Sequence, residues 1–221
     1  MFLVAENLGK SFGTPPQEVL RGIDLEISRG EFLALTGRSG SGKSTLLYLL
    51  SALDSPTVGL VKFEGRDFND MSSGELHEIR NRRIGFVFQF HYLLPELSVL
   101  ENVLLPARKA GLRDEKEKFA FSLLEQFELR EYAERLPGEI SGGEQQRTAV
   151  ARALIMDCDI LFADEPTGNL DSENGRNVLE IFSRINREKG ATIVMVTHEP
   201  DYALLADRRI YLADGILTGE D

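Results

Sequence analysis

The sequence predicts an α/β fold: a mostly parallel sheet covered on both faces by helices, with an antiparallel β part and an inserted helical subdomain. Three observations predict it. Apolar, β-rich runs at Phe32–Leu35, Ile160–Ala163 and Ala191–Thr197 alternate with helical patterns, as parallel strands and their crossover helices do. A glycine-rich stretch, Gly37-Arg38-Ser39-Gly40-Ser41-Gly42-Lys43-Ser44-Thr45, stands between one of those runs and the helical pattern Leu46–Leu50. Residues 90–156 carry helical patterns and no strand candidate.

The elements follow in order. Residues 2–8 and 19–27 read as strands, and the second breaks its alternation at Gly22, the mark of a bulge or turn. Gly13-Thr14-Pro15-Pro16 is a loop, and Ser28-Arg29-Gly30 turns the chain into the strand at 32–35. A short strand spans 59–65, a helix 73–83 and a β-rich run 84–89. Helical patterns then cover 99–110, 114–127 and 143–155, so residues 90–156 form the predicted second subdomain. Residues 1–89 and 157–221 form the core, closing with a helix over 173–188, a short helix near Tyr202, a strand over 209–212 and a turn at Asp214-Gly215.

With 221 residues and 42% hydrophobic content, the chain can remove roughly 70% of its unfolded surface from water. A net charge of −11 argues against a protein that coats nucleic acid, and no nucleic-acid partner is expected. The single cysteine, Cys158, excludes an internal disulfide and suits a reducing compartment. The first residues lack a basic segment of the signal-peptide kind, and no apolar run approaches the roughly 20 residues that span a bilayer. A soluble polypeptide is expected, held by a partner if it works at a membrane.

Strand, glycine-rich loop, Gly-Lys-Ser and helix make up a P-loop. Glycines let the backbone turn tightly with N–H groups aimed at phosphate oxygens. The helix N-terminus adds its positive dipole end. Gly37, Ser39, Gly40, Ser41, Gly42, Lys43, Ser44 and Thr45 are therefore the expected nucleotide-binding residues. Lys43 reaches the terminal phosphates, and the Ser44 hydroxyl is small enough to ligate Mg²⁺ beside them.

Asp164-Glu165 follows directly on a buried strand. Asp164 can hold Mg²⁺ directly or through water, and Glu165 can polarise the water that attacks the γ-phosphate. The same pair could instead be two solvated acids opening a turn before Pro166. Ser141-Gly142-Gly143-Glu144-Gln145 reads as a helix start with a capping box between Ser141 and Glu144. Two glycines there are poor helix formers. They make sense where a phosphate approaches bare backbone, although an ordinary capped helix with a flexible entry is the alternative.

A P-loop, then Ile140-Ser141-Gly142-Gly143-Glu144-Gln145-Gln146-Arg147, then Phe162-Ala163-Asp164-Glu165, resembles the ATPase subunit of ABC transporters. The match covers nearly the whole chain with its motifs in family order. The resemblance implies the fold of those ATPases, ATP and Mg²⁺ as cofactors, and hydrolysis coupled to transport. Gln89 is similar to the family's Q-loop glutamine, with a catalytic and metal-contacting role. Asn169-Leu170-Asp171 is similar to the D-loop, which contacts the opposite subunit, and Asp171 can also cap the next helix. His198 is similar to the switch histidine at the γ-phosphate. Phe12 stands where the family places an aromatic on adenine, with a core aromatic as the other reading. The resemblance further implies a head-to-tail pair, each ATP held by Lys43 and its neighbours from one copy and by Ser141, Gly142 and Gly143 from the other.

Within that family, Phe88-Gln89-Phe90-His91-Tyr92-Leu93-Leu94-Pro95, Glu101-Asn102-Val103 and Ala163–Ser172 resemble the Lol-type lipoprotein-release and MacB-type macrolide-exporter group. The Gln-Phe-His-x-Leu-Leu-Pro run leans toward lipoprotein release. An efflux or cell-division system, or a soluble ABC ATPase outside transport, is the alternative. The resemblance implies transmembrane permease subunits as partners and a peripheral place on the cytoplasmic face of the inner membrane. Phe90, Tyr92, Leu93 and Leu94 would suit helix-in-groove docking there, or simply pack the subdomain junction.

Overall fold

In chain order the computed structural model, which describes residues 1–168 and 170–221, runs β1 (Leu3–Phe12), β2 (Gln17–Ile27), β3 (Phe32–Thr36), α1 (Lys43–Leu50), β4 (Val58–Phe63), β5 (Arg66–Asp67) and α2 (Ser73–Arg82). It continues with β6 (Ile84–Val87), α3 (Val99–Lys109), α4 (Arg113–Gln126), α5 (Gly142–Leu154) and β7 (Ile160–Asp164). The last elements are α6 (Ser172–Lys189), β8 (Thr192–Val196), α7 (Pro200–Ala203), β9 (Arg208–Ala213) and β10 (Ile216–Glu220). The fold class is α/β, as the alternation of apolar runs and helical patterns predicts. The chain divides into two compact units, Met1–Arg80 with Phe182–Asp221, and Asn81–Ile181.

The first unit holds two sheets. One is antiparallel in the order β2-β1-β4-β5. Strand β2 puts Ile23, Leu25 and Ile27 inward at alternate positions, as a half-buried strand must. The irregularity expected at Gly22 is a bulge. Ile23 pairs with Leu8 but Leu20 pairs with Lys10, which leaves one extra residue on β2, and Gly22 takes φ +55° there.

In the other sheet β3 runs parallel to both β8 and β9, and β10 closes antiparallel on β9. Phe32–Leu35 and the whole of β8 are buried, which explains their unbroken apolar character. Helix α1 buries Leu46, Leu47, Leu49 and Leu50. Each such leucine contributes about 1.5–3 kcal/mol of transfer free energy.

The second unit pairs β6 and β7 in parallel and carries α3, α4 and α5, with α6 belonging to it as far as Ile181. Helix α3 starts at the Ser98 cap, whose hydroxyl accepts from the Glu101 N–H at 3.3 Å. Its apolar face, Val99, Leu100, Val103, Leu104 and Ala107, repeats at helical spacing and is buried. Residues 90–156 contain no strand, as expected. Among the described residues, no helix is long and apolar enough to cross a membrane.

Two elements lie outside the sequence-based expectation. Strand β5 has only two residues, and β10 follows the anticipated Asp214-Gly215 turn as an almost wholly exposed edge strand. Neither carries the buried apolar run that makes a strand visible in sequence.

Candidate functional site

The loop after β3 is shaped by its glycines. At Gly37, φ +139°, an added Cβ would lie 2.1 Å from the Leu212 carbonyl oxygen. At Gly42, φ +103°, it would lie 2.8 Å from Leu20 Cδ2. Gly40 has open space around it and owes its identity to its φ of +78°. Two glycines therefore permit close backbone approach and the third a left-handed turn, while Arg38, Ser39 and Gly40 stay exposed.

Helix α1 begins at Lys43 with Gly42 as its cap, so no side chain satisfies the first N–H groups and no acidic residue sits in the first turn. That leaves a positive helix end beside the glycine loop, which an anion complements. Lys43 is buried, and its ammonium donates to the Gly37 and Arg38 carbonyls, each at 2.9 Å. An ammonium has three donors, so those two bonds leave capacity for a phosphate oxygen. Ser44 and Thr45 occupy the first helical turn, and Ser41 passes its carbonyl to the Gly215 N–H at 3.2 Å.

His198 stands at the same end of this sheet. Strands β3 and β8 are parallel neighbours with Leu35 opposite Val196, so the residues that follow each strand emerge side by side. Thr197 is buried and fixes the exit: its N–H donates to the Leu35 carbonyl at 3.2 Å, and its hydroxyl accepts from the Glu199 N–H at 3.1 Å. His198 is exposed at the turn that results. Phe12, at the end of β1, is 47% exposed, which removes the reading of a core aromatic. Lys10 lies 4.9 Å from its ring centroid and also bonds Asp54 at 2.7 Å. Burial pushes the Asp54 carboxyl up, but the Lys10 contact and the Ser55 N–H outweigh it and hold the group below its usual range.

In the second unit, β6 and β7 are parallel with Val87 opposite Ala163, so Gln89 and Glu165 leave neighbouring strands at their carboxyl ends. Asp164 ends β7 and is buried. Glu165 turns the chain with φ +46°, unusual for a residue other than glycine. The Gly168 N–H closes the turn on the Glu165 carbonyl at 3.1 Å. A Cβ on Gly168 would lie 3.2 Å from Gln89 Nε2 and 3.5 Å from Glu165 Oε2, so both side chains close on that bare backbone.

The capping box at α5 is present. The Ser141 N–H donates to Glu144 Oε2 at 2.6 Å, and the Ser141 hydroxyl accepts from the Glu144 N–H at 3.3 Å. Burial raises the Glu144 carboxyl, but bonds from Ser141 and Tyr132 win and leave it below its usual range. The two glycines differ. Gly142 has nothing within 4 Å of an added Cβ, whereas one on Gly143 would meet Asn174 Oδ1 at 2.7 Å. Asp171 caps α6 by accepting from the Asn174 N–H at 2.9 Å and the Glu173 N–H at 3.1 Å. Its carboxyl is lowered by the Asn174 backbone bond first and the Asn174 amide next. Asn169 lies outside the described residues.

Sequence reasoning quoted Asn102 and Gln146 within motifs but gave them no role of their own, and it did not single out Arg152 or Asn174. Asn102 is fully buried; its amide donates to the Leu94, Leu97 and Ser98 carbonyls and accepts from the Leu94 N–H, all between 2.8 and 3.0 Å. Arg152 donates to the His91 and Tyr92 carbonyls, each at 2.7 Å. These bonds hold the segment after Gln89, where Phe90 and Tyr92 are 62% and 64% exposed.

The profile of the ABC transporter family matches residues 20–168. The lipoprotein-releasing system ATP-binding protein LolD of Leptospira interrogans is 50% identical over 209 residues, covering 95% of this chain and 87% of that protein. The LolD protein of Aquifex aeolicus is 50% identical over 220 residues, covering 99% and 96%. A solved dimeric ATP-binding cassette in a post-hydrolysis state, bound to ADP and Pi, superposes with a TM-score of 0.91 at 38% identity, covering 100% of this chain and 98% of that one.

Proposed function

Because the chain belongs to the ABC transporter family as one of its ATP-hydrolysing subunits, we propose that it drives lipoprotein release from the inner membrane. The observation that carries this reading is 50% identity, along nearly the whole chain, to the ATP-binding proteins of lipoprotein-releasing systems. In this reading the protein sits peripherally on the cytoplasmic face, docked on transmembrane permease subunits. Residues 1–89 and 157–221 form the nucleotide-binding core, and the helical subdomain 90–156 carries the Ser141 helix start.

Two copies pair head to tail around two ATP. The P-loop backbone and Lys43 hold the phosphates from one side, and Phe12 stacks on the adenine. Ser141, Gly142 and Gly143 of the second copy complete the grip from the other side, where the α5 dipole favours an anion. Glu165 takes the proton of the attacking water, Gln89 orients that water, and His198 contacts the γ-phosphate. Asp171 faces the opposite copy.

The donor set Ser44, Gln89 and Asp164 is all oxygen, which fits Mg²⁺. Among the described residues no cluster of three His, Cys, Asp or Glu could cage a metal, which suits an ion that takes most of its ligands from phosphate and water. Such an ion supplies neutralisation of phosphate charge. Ser44, Gln89 and Asp164 would hold it.

The test is reconstitution with the permease subunits that co-purify with this chain. ATP should release a lipoprotein from proteoliposomes, and Glu165→Gln should abolish release while lowering turnover about 10²–10⁴-fold. Turnover without release of lipoprotein would overturn the cargo assignment.

A further inference from the structure

We infer that Gln146 is a positioning residue whose amide ties the segment bearing Gln89 to the turn bearing Glu165. Gln146 lies on α5, is 1% exposed, and is not itself placed to touch nucleotide. Its Nε2 donates to the Pro166 carbonyl at 2.7 Å, one residue past Glu165. Its Oε1 meets His91 Nδ1, two residues past Gln89.

The polarity of this link is fixed by chemistry. A carbonyl can only accept, so the amide nitrogen must face Pro166 and the amide oxygen must face His91. His91 Nδ1 therefore carries a hydrogen and donates it. One rigid amide thus spans two segments that are otherwise loops, and each segment delivers a side chain to the bare backbone of Gly168. Glu165 also holds a left-handed backbone, a conformation that persists only where its surroundings fix it. The Pro166 bond is such a restraint.

This inference rests on the assignment of Gln89 and Glu165 to the hydrolytic site. What it adds is that the spacing between them is set by a residue on α5. Loss of the link should slow the chemical step and leave nucleotide affinity alone, because the P-loop is untouched.

The experiment uses the full chain with Mg·ATP, reading kcat per bound nucleotide, KM and Tm for Gln146→Leu, His91→Ala, His91→Asn and the Gln146→Leu/His91→Ala pair. Glu165→Gln is the reference for the site itself. Gln146→Leu and His91→Ala should each lower kcat about tenfold with KM within about twofold. The double variant should be no slower than the slower single, because both break one link. Asparagine offers an N–H near the place of Nδ1, so His91→Asn should restore much of the turnover lost in His91→Ala.

Unchanged kcat in His91→Ala, or equal losses in His91→Asn and His91→Ala, would overturn the inference. The His91 variants lie in a half-buried loop and carry the test alone if Gln146→Leu does not fold. If Glu165→Gln retains full turnover, the site assignment itself falls and the inference with it. If Glu165→Gln is slow but Gln146→Leu and His91→Ala are not, only the inference falls.

Discussion

Asn174 Oδ1 sits 2.7 Å from the point that a Cβ on Gly143 would occupy. The Asn174 amide is held there from both sides, accepting from Arg147 Nη1 at 2.9 Å and donating to Asp171 Oδ2 at 2.8 Å. The bareness of Gly143 thus has a cause inside the chain, and that of Gly142 does not. Gly143→Ala should push on a braced amide and destabilise the protein by about 1–3 kcal/mol, read as a lower Tm. Gly142→Ala should leave Tm unchanged or slightly raised, since alanine is the better helix former, yet lower ATP turnover. Full turnover in Gly142→Ala would remove that glycine from the phosphate grip.

Lys43 is held by two loop carbonyls and poised at the mouth of the P-loop. Lys43→Ala should weaken ATP binding at least about tenfold, a loss of 1.4 kcal/mol or more, measured by calorimetry. A wild-type binding isotherm would remove the lysine from the site.

Phe90 and Tyr92 are exposed on a segment whose backbone Arg152 and Asn102 fix. A rigid apolar surface loses little entropy when a helix docks on it. Leu93→Asp should therefore cut recovery of the chain with the proposed permease subunits about tenfold in co-purification. Undiminished recovery would move the docking surface elsewhere.

Asp171 accepts three bonds at the start of α6, and its carboxyl lies below the usual range because of them. A depressed carboxyl stabilises the fold above its unfolded value and loses that contribution as pH falls through the folded one. Wild type should thus exceed Asp171→Ala in stability at neutral pH, and the gap should close progressively below about pH 3.9, measured by urea melts across pH. A gap that is constant with pH would contradict the cap.

The fold was legible wherever burial imposes a pattern. Strands β7 and β8 are buried throughout and β3 from Phe32 to Leu35, so they appear in the sequence as plain apolar runs, and the amphipathic face of α3 repeats at 3.6 residues. Strand β10 escaped because it is an exposed edge strand whose only local mark is the Asp214-Gly215 turn. The glycine-rich loop after β3 was legible because backbone geometry dictates its glycines.

The contacts of Gln146, Asn102 and Asn174 were not legible. Their partners lie across tertiary structure: Gln146 meets His91 and Pro166, 55 and 20 residues away, and nothing in local spacing marks a buried amide. Gly143 was visible as an unusual helix-tip residue, but its close neighbour Asn174 became visible only in three dimensions.

Mass measurement of the Glu165→Gln chain by light scattering, with and without Mg·ATP, tests the two-sided grip most directly. ATP should convert the monomer to a dimer, and Gly142→Ala in the same background should reduce that conversion. A Glu165→Gln chain that binds ATP yet keeps monomer mass, alone and with the proposed permease subunits, would contradict the account.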